Sequence, residues 1–140
     1  MRVVERSILT ANSEIIDLRT LVPLLSGNRW VWRVLWMDAV GEPFRGVPLQ
    51  QLGNEIAGMK LGLEMTFAEL VDLSCVIGQS IDLVVVAAAN GEDFNQRDLR
   101  DENFDNCLVY ADIFDSSTVS LGISNRVPGN EEILRRFESF

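Results

Sequence analysis

Six carboxylates crowd into fourteen residues of this chain: Glu92, Asp93, Asp98, Asp101, Glu102 and Asp105. Three kinds of chemistry could use them. Acids gathered on one surface attract a basic partner and repel nucleic acid and anionic lipid. Two close carboxylates can divide general acid and base work, as in glycoside hydrolysis. Several converging oxygens can hold a hard cation. Asp93-Phe94-Asn95-Gln96-Arg97-Asp98 begins like a calcium loop, but Arg97 stands where a ligand belongs and the turn glycine is absent. Residues 61–140 hold fifteen acids, enough to produce close pairs by chance, so pairing alone does not point to catalysis. A solvated charged face is the plainer alternative.

The rest of the chain narrows the chemistry further. It has 140 residues and no histidine. That absence removes Ser–His–Asp and Cys–His nucleophilic catalysis, histidine general bases and histidine metal sites. Two separated cysteines, Cys75 and Cys107, cannot form a four-cysteine zinc site. Both lie in apolar stretches and read as reduced, buried thiols, with a structural disulfide as the alternative. No GxGxxG, Walker A, CxxC or HExxH pattern occurs, so neither a cofactor nor a metal is expected. Lys60, Tyr110 and paired carboxylates are the remaining catalytic possibilities. The charge is lopsided: residues 1–60 carry a net +1 and residues 61–140 a net −10, giving −9 in all.

The elements that must position these groups follow from periodicity. Hydrophobic residues make up 47% and charged residues 24%, a balance that predicts a single folded domain over 1–140. The longest apolar run, Leu83–Ala89, is too short to span a bilayer, and Glu5 and Arg6 interrupt the N-terminal segment. A cytoplasmic location is the expectation.

Arg2–Leu9 reads as a strand. Ser13–Leu25 fits either a helical period broken by Pro23 or a strand turning into a short helix near Asp17–Val22. Ser26-Gly27-Asn28 reads as a turn. Trp30–Val40 alternates cleanly: Trp30, Trp32, Val34 and Trp36 on one face, Val31, Arg33, Leu35 and Met37 on the other. The tryptophan stripe reads as core under a helix, with a binding platform as the alternative.

Pro48–Gly58 predicts a helix with Leu49, Leu52, Ile56 and Met59 on one side, weakened by Gly53. Thr66-Phe67-Ala68-Glu69 is a capping box that opens the best-specified helix, closed near Gly78. Ile81–Ala89 reads as a central strand. Asn90–Asn106 is the acidic connection. Cys107–Asp115 and Thr118–Ser124 are strands joined through Asp115-Ser116-Ser117, and Asn130 is expected to cap a final helix anchored by Ile133, Leu134 and Phe137.

This order predicts an α+β fold: a mainly antiparallel sheet with helices packed on one face. Phe67, Leu70, Val71, Val84, Val86 and Phe137 are expected to share the core. Asp93, Asp98, Asp101, Glu102 and Asp105 should be largely exposed, because burying five unpaired carboxylates is prohibitive. Arg97 and Arg100 should pair with some of them.

Phe94, Leu99 and Phe104 recur every five residues, each preceded by Asp93, Asp98 or Asn103. This resembles pentapeptide-repeat proteins. Glu92, Arg97 and Glu102 stand where that family has small residues, and the match covers about fifteen residues, so an irregular loop is the preferred reading.

A second resemblance covers roughly residues 62–137. Met65-Thr66-Phe67-Ala68-Glu69-Leu70, Gln79-Ser80-Ile81-Asp82, Phe114-Asp115-Ser116-Ser117 and Glu131-Glu132-Ile133-Leu134-Arg135-Arg136-Phe137 look like small bacterial immunity proteins, which neutralise toxins delivered between competing cells. Thr118 replaces an aromatic often found after Asp-Ser-Ser. The resemblance implies a non-enzymatic bacterial inhibitor whose partner is a basic, nuclease-like toxin. That agrees with the charge: mimicry of phosphate needs carboxylates on one face and no catalytic groups. The expected partner is thus another protein, not nucleic acid or membrane, and Glu92–Asp105 is its expected contact. The rivals are a small carboxylate- or metal-dependent enzyme and an assembly subunit using its tryptophan face.

Overall fold

The computed structural model describes residues 1–25 and 29–140; the expected turn at Ser26-Gly27-Asn28 lies outside them. Among the described residues, six strands form one fully antiparallel sheet: β1 Arg2–Ser7, β2 Val31–Gly41, β3 Leu63–Met65, β4 Ile77–Ala88, β5 Val109–Phe114 and β6 Thr118–Ile123. Their spatial order is β1-β6-β5-β4-β2-β3. Five helices accompany it: α1 Leu18–Leu21, α2 Leu49–Ala57, α3 Phe67–Val76, α4 Gln96–Arg100 and α5 Asn130–Glu138. The α+β architecture expected from the sequence is present.

Helices α1, α2, α3 and α5 cover one sheet face. Leu18, Ile56, Leu70, Leu73 and Phe137 pack there against Trp32, Val34, Val85 and Leu121, all buried. The capping box forms as expected: Glu69 N–H donates to Thr66 Oγ1 and Thr66 N–H to Glu69 Oε1, both at 3.1 Å. These bonds hold the Glu69 carboxyl below its ordinary range. The uncertain segment contains no strand; it forms the short helix expected near Asp17–Val22, as α1, followed by a 3₁₀ turn over Val22–Leu25. Leu9 and Ile15 form an isolated bridge, and Asp17 then caps α1 and reaches across to β4. Its two oxygens accept from Ser80 N–H at 2.8 Å and Ser80 Oγ–H at 2.7 Å. One carboxylate thereby ties a helix start to the sheet, a tertiary role that local pattern does not reveal.

Gly53 sits where α2 crosses β2. A Cβ there would lie 2.4 Å from the Met37 carbonyl oxygen. The residue that lowers helical propensity is what allows this close packing.

Several expectations need correction. β2 carries a bulge between Val34 and Trp36, which pair with the consecutive residues Val85 and Val84. The extra residue, Leu35, inverts the alternation. Trp32 stays in the core, Trp30 is half-buried beside it, and Trp36 turns to the other sheet face, 49% exposed. The tryptophans therefore do not form one stripe. Val84 and Val86 also point away from Leu70 and Phe137; Leu83, Val85 and Ala87 take the helix side, because Val86 belongs to a second cluster. Cys75 is exposed, Cys107 is buried, and both are free thiols. Met59 lies past the end of α2 and is exposed. β4 starts at Ile77, directly after α3, so Gly78 is a strand residue and not a helix stop. Gly129, in a left-handed conformation, occupies the α5 cap position, and Asn130 is already helical, its Nδ2–H donating to the Val127 carbonyl.

Candidate functional site

The sheet face away from the four helices is the candidate surface. It has a covered half and an open half. The acidic connection supplies the cover. Its Phe94 is buried against Val86, Ala88 and Cys107, with Leu99, Phe104 and Tyr110 packed around them. The five-residue apolar spacing is thus a real signal, but of three anchors holding a segment to a sheet and not of a solenoid. The segment is more ordered than a loop, with a 3₁₀ turn at Gly91–Asp93 and α4 capped by Asn95 Oδ1, which accepts from Asp98 N–H.

Two further contacts fasten this cover. The Arg33 guanidinium lies 5.1 Å from the Phe94 ring centroid and pairs with Glu64 at 3.0 Å. Its Nε is buried without a hydrogen-bond partner among the described residues. Phe104 stacks on Tyr110, with ring centroids 4.4 Å apart and planes 15° from parallel.

The six sequence-predicted acids separate into two groups. Glu92, Asp101, Glu102 and Asp105 are exposed. Asp93 and Asp98 are only half exposed, which corrects the expectation for both. Each does local structural work: Asp93 Oδ2 accepts from Asn90 N–H at 3.3 Å, and Asp98 Oδ2 accepts from Asn106 Nδ2–H at 3.5 Å. Hydrogen bonding of this kind makes partial burial tolerable. Arg97 lies 4.0 Å from Asp101, an exposed pair of small energetic weight. Arg100 has no ion pair among the described residues, against expectation. No three carboxylates or thiols among the described residues gather as metal ligands. Cys107, beneath the segment, has its thiol pushed up to about 11, chiefly by burial.

The open half carries residues that sequence reasoning missed. Ladder registers place Glu5, Ser120, Asp112, Val84 and Trp36 in one row across five strands. In the adjacent row Asp38 of β2 faces Asp82 of β4. Phe114 stands two residues beyond Asp112 on the same face and is 62% exposed. Tyr110 O–H donates to Asp112 Oδ2 at 2.6 Å. Burial first, and then that carboxylate, raise the Tyr110 phenol far above its usual range. Asp82 Oδ1 accepts from Asp115 N–H at 2.9 Å, where Asp115 and Ser116 adopt positive φ. The Asp-Ser-Ser turn and the Ser80–Asp82 stretch thus meet one another as architecture.

A shallow cleft of about 270 Å3, lined by Met1, Val3, Glu102, Phe104, Asp105 and Tyr110, joins the two halves. The acidic segment and the open strands are therefore one continuous surface. No helix among the described residues is long and apolar enough to cross a membrane. No family model, curated protein or solved structure matches this chain.

Proposed function

We propose that the chain is a non-enzymatic protein-binding module that uses an acidic surface, and specifically an immunity protein that neutralises a basic, nuclease-like bacterial toxin in the cytoplasm. One observation carries the reading. Glu92, Asp101, Glu102 and Asp105 project outward from a segment that three apolar anchors hold firmly to the sheet. A rigidly mounted set of charges loses little entropy on binding and keeps its field in one direction. Catalytic pairs work best sheltered from water, whereas these acids stand in it. The segment is also contiguous with further carboxylates on the open strands, so the favourable field for a cation extends well beyond the six acids.

The test is protection. The gene adjacent to this one in its source genome is expressed in a host with and without this chain, and viable counts and nucleic acid integrity are followed. The expected result is that the neighbour is toxic, that this chain restores growth, and that the two proteins co-purify as a complex. Toxicity unaffected by this chain, with no complex formed, contradicts the immunity assignment.

A further inference from the structure

We propose that the open half of the sheet is itself a docking site for an extended partner segment that turns both basic and apolar side chains to one face, with Trp36 and Phe114 as its apolar anchors. This inference rests on the acidic-module reading and assigns the partner's chemistry on that surface. The uncovered face of an antiparallel sheet is ordinarily polar and solvated. Here Trp36 and Phe114 are 49% and 62% exposed, and Val40, four residues beyond Trp36 along β2, is 56% exposed. Large exposed aromatics on a rigid strand frame are what interfaces use as anchors.

The charges around the anchors fix the occupant. Glu5 and Asp112 lie in the same row as Trp36, and Asp38 and Asp82 lie in the next. Like charges directly opposite one another on neighbouring strands destabilise a sheet. Asp38 and Asp82 are such a pair, and Asp38 is exposed with no cation paired to it among the described residues. A local conflict of this kind marks a place where stability has yielded to another requirement. An arginine or lysine set between the two carboxylates removes the conflict. A second copy of this chain does not, since it would bring acid against acid. The row from β1 to β2 spans four strand spacings, roughly 19 Å, enough for an extended segment of about six residues.

The test uses two acetylated hexapeptides with serine at the even positions: one has arginine, leucine and arginine at positions 1, 3 and 5, which share a face when the chain is extended, and the other has glutamate, leucine and glutamate there. Each is titrated into the 15N-labelled chain while amide and indole N–H signals are followed, with the Trp36 indole assigned through Trp36→Phe. The expected result is saturable shifts at the Trp36 indole and at the Asp38, Val84 and Phe114 amides with the arginine peptide, and none with the glutamate peptide. Asp38→Asn combined with Asp112→Asn, and separately Trp36→Ala, should each weaken binding at least fivefold. Trp36 and Asp38 are exposed, whereas Asp112 is half-buried beneath the Tyr110 hydroxyl, so the unfolding midpoint of each variant is measured beside its binding, and weakened binding at an unchanged midpoint separates lost binding from lost folding. Shifts confined to residues 98–105 overturn this inference and leave the acidic-module reading standing. Equal response to both peptides, or to neither, overturns both.

Discussion

Asp38 and Asp82 face each other across the β2–β4 ladder on the side of the sheet opposite α1, α2, α3 and α5. Relieving one charge of such a pair should stabilise the fold. Asp38→Asn is therefore expected to gain about 0.2–1 kcal/mol, read as a raised urea midpoint at constant slope. The gain should shrink as salt is added, because screening already weakens the repulsion. A loss of stability would mean that Asp38 makes a favourable contact and would remove the conflict from the account.

Gly53→Ala separates packing from propensity. Helical propensity alone favours alanine by about 1 kcal/mol. The Met37 carbonyl, 2.4 Å from where the Cβ would sit, is backbone in the middle of a sheet and cannot move aside cheaply. The expected outcome is destabilisation by about 1–3 kcal/mol, measured by thermal or urea unfolding. A stabilised variant would show that α2 lies farther from β2.

The two thiols should react very differently. Cys75 is exposed, while Cys107 is buried with its pKa raised to about 11. At pH 8 a thiol reagent is expected to modify one cysteine in the native protein and two after unfolding. Because folding raises the Cys107 pKa from 9.0, the stability tied to its neutral thiol is complete below pH 9 and is lost as pH rises towards 11. Tyr110, also raised, adds to the loss at still higher pH. The unfolding midpoint should therefore fall on the alkaline side, and by less in Cys107→Ala.

Phe94→Ala should release the acidic segment before it unfolds the domain. Phe94 is the fully anchored ring of the second cluster and carries the Arg33 guanidinium. Its truncation is expected to cost about 3 kcal/mol, concentrated locally. Hydrogen exchange should accelerate across residues 91–106 while the β2–β4 amides stay protected. Uniform acceleration over the whole chain would mean that the segment is part of the main folding unit.

The fold was readable wherever one residue's neighbours in sequence decide its structure. Thr66 and Glu69 close their own helix, and Val109, Ala111 and Ile113 alternate without interruption, so both elements follow from local pattern. Where the pattern breaks, the cause is tertiary. The bulge at Leu35 depends on pairing with β4, and without it Trp36 is assigned to the wrong face. Val84 and Val86 lie in a run that is apolar on both sides, and such a run cannot say which side meets the helices. The acidic segment was visible as charge, and its anchors as a five-residue spacing. The second half of the surface was not, because Glu5, Asp38, Asp82 and Asp112 come from four strands and become neighbours only through register.

The most direct measurement is the association kinetics of this chain with a protein partner that co-purifies with it, recorded at several salt concentrations. The comparison is between the parent and a variant in which the exposed acids Asp101 and Asp105 are replaced by Asn and Glu102 by Gln. A slower association rate, a lower affinity and a shallower salt dependence are expected for the variant, since the field that steers a basic partner has been reduced. Unchanged affinity and an unchanged salt slope would contradict the acidic-module reading, as would a complex in which residues 92–105 face away from the partner.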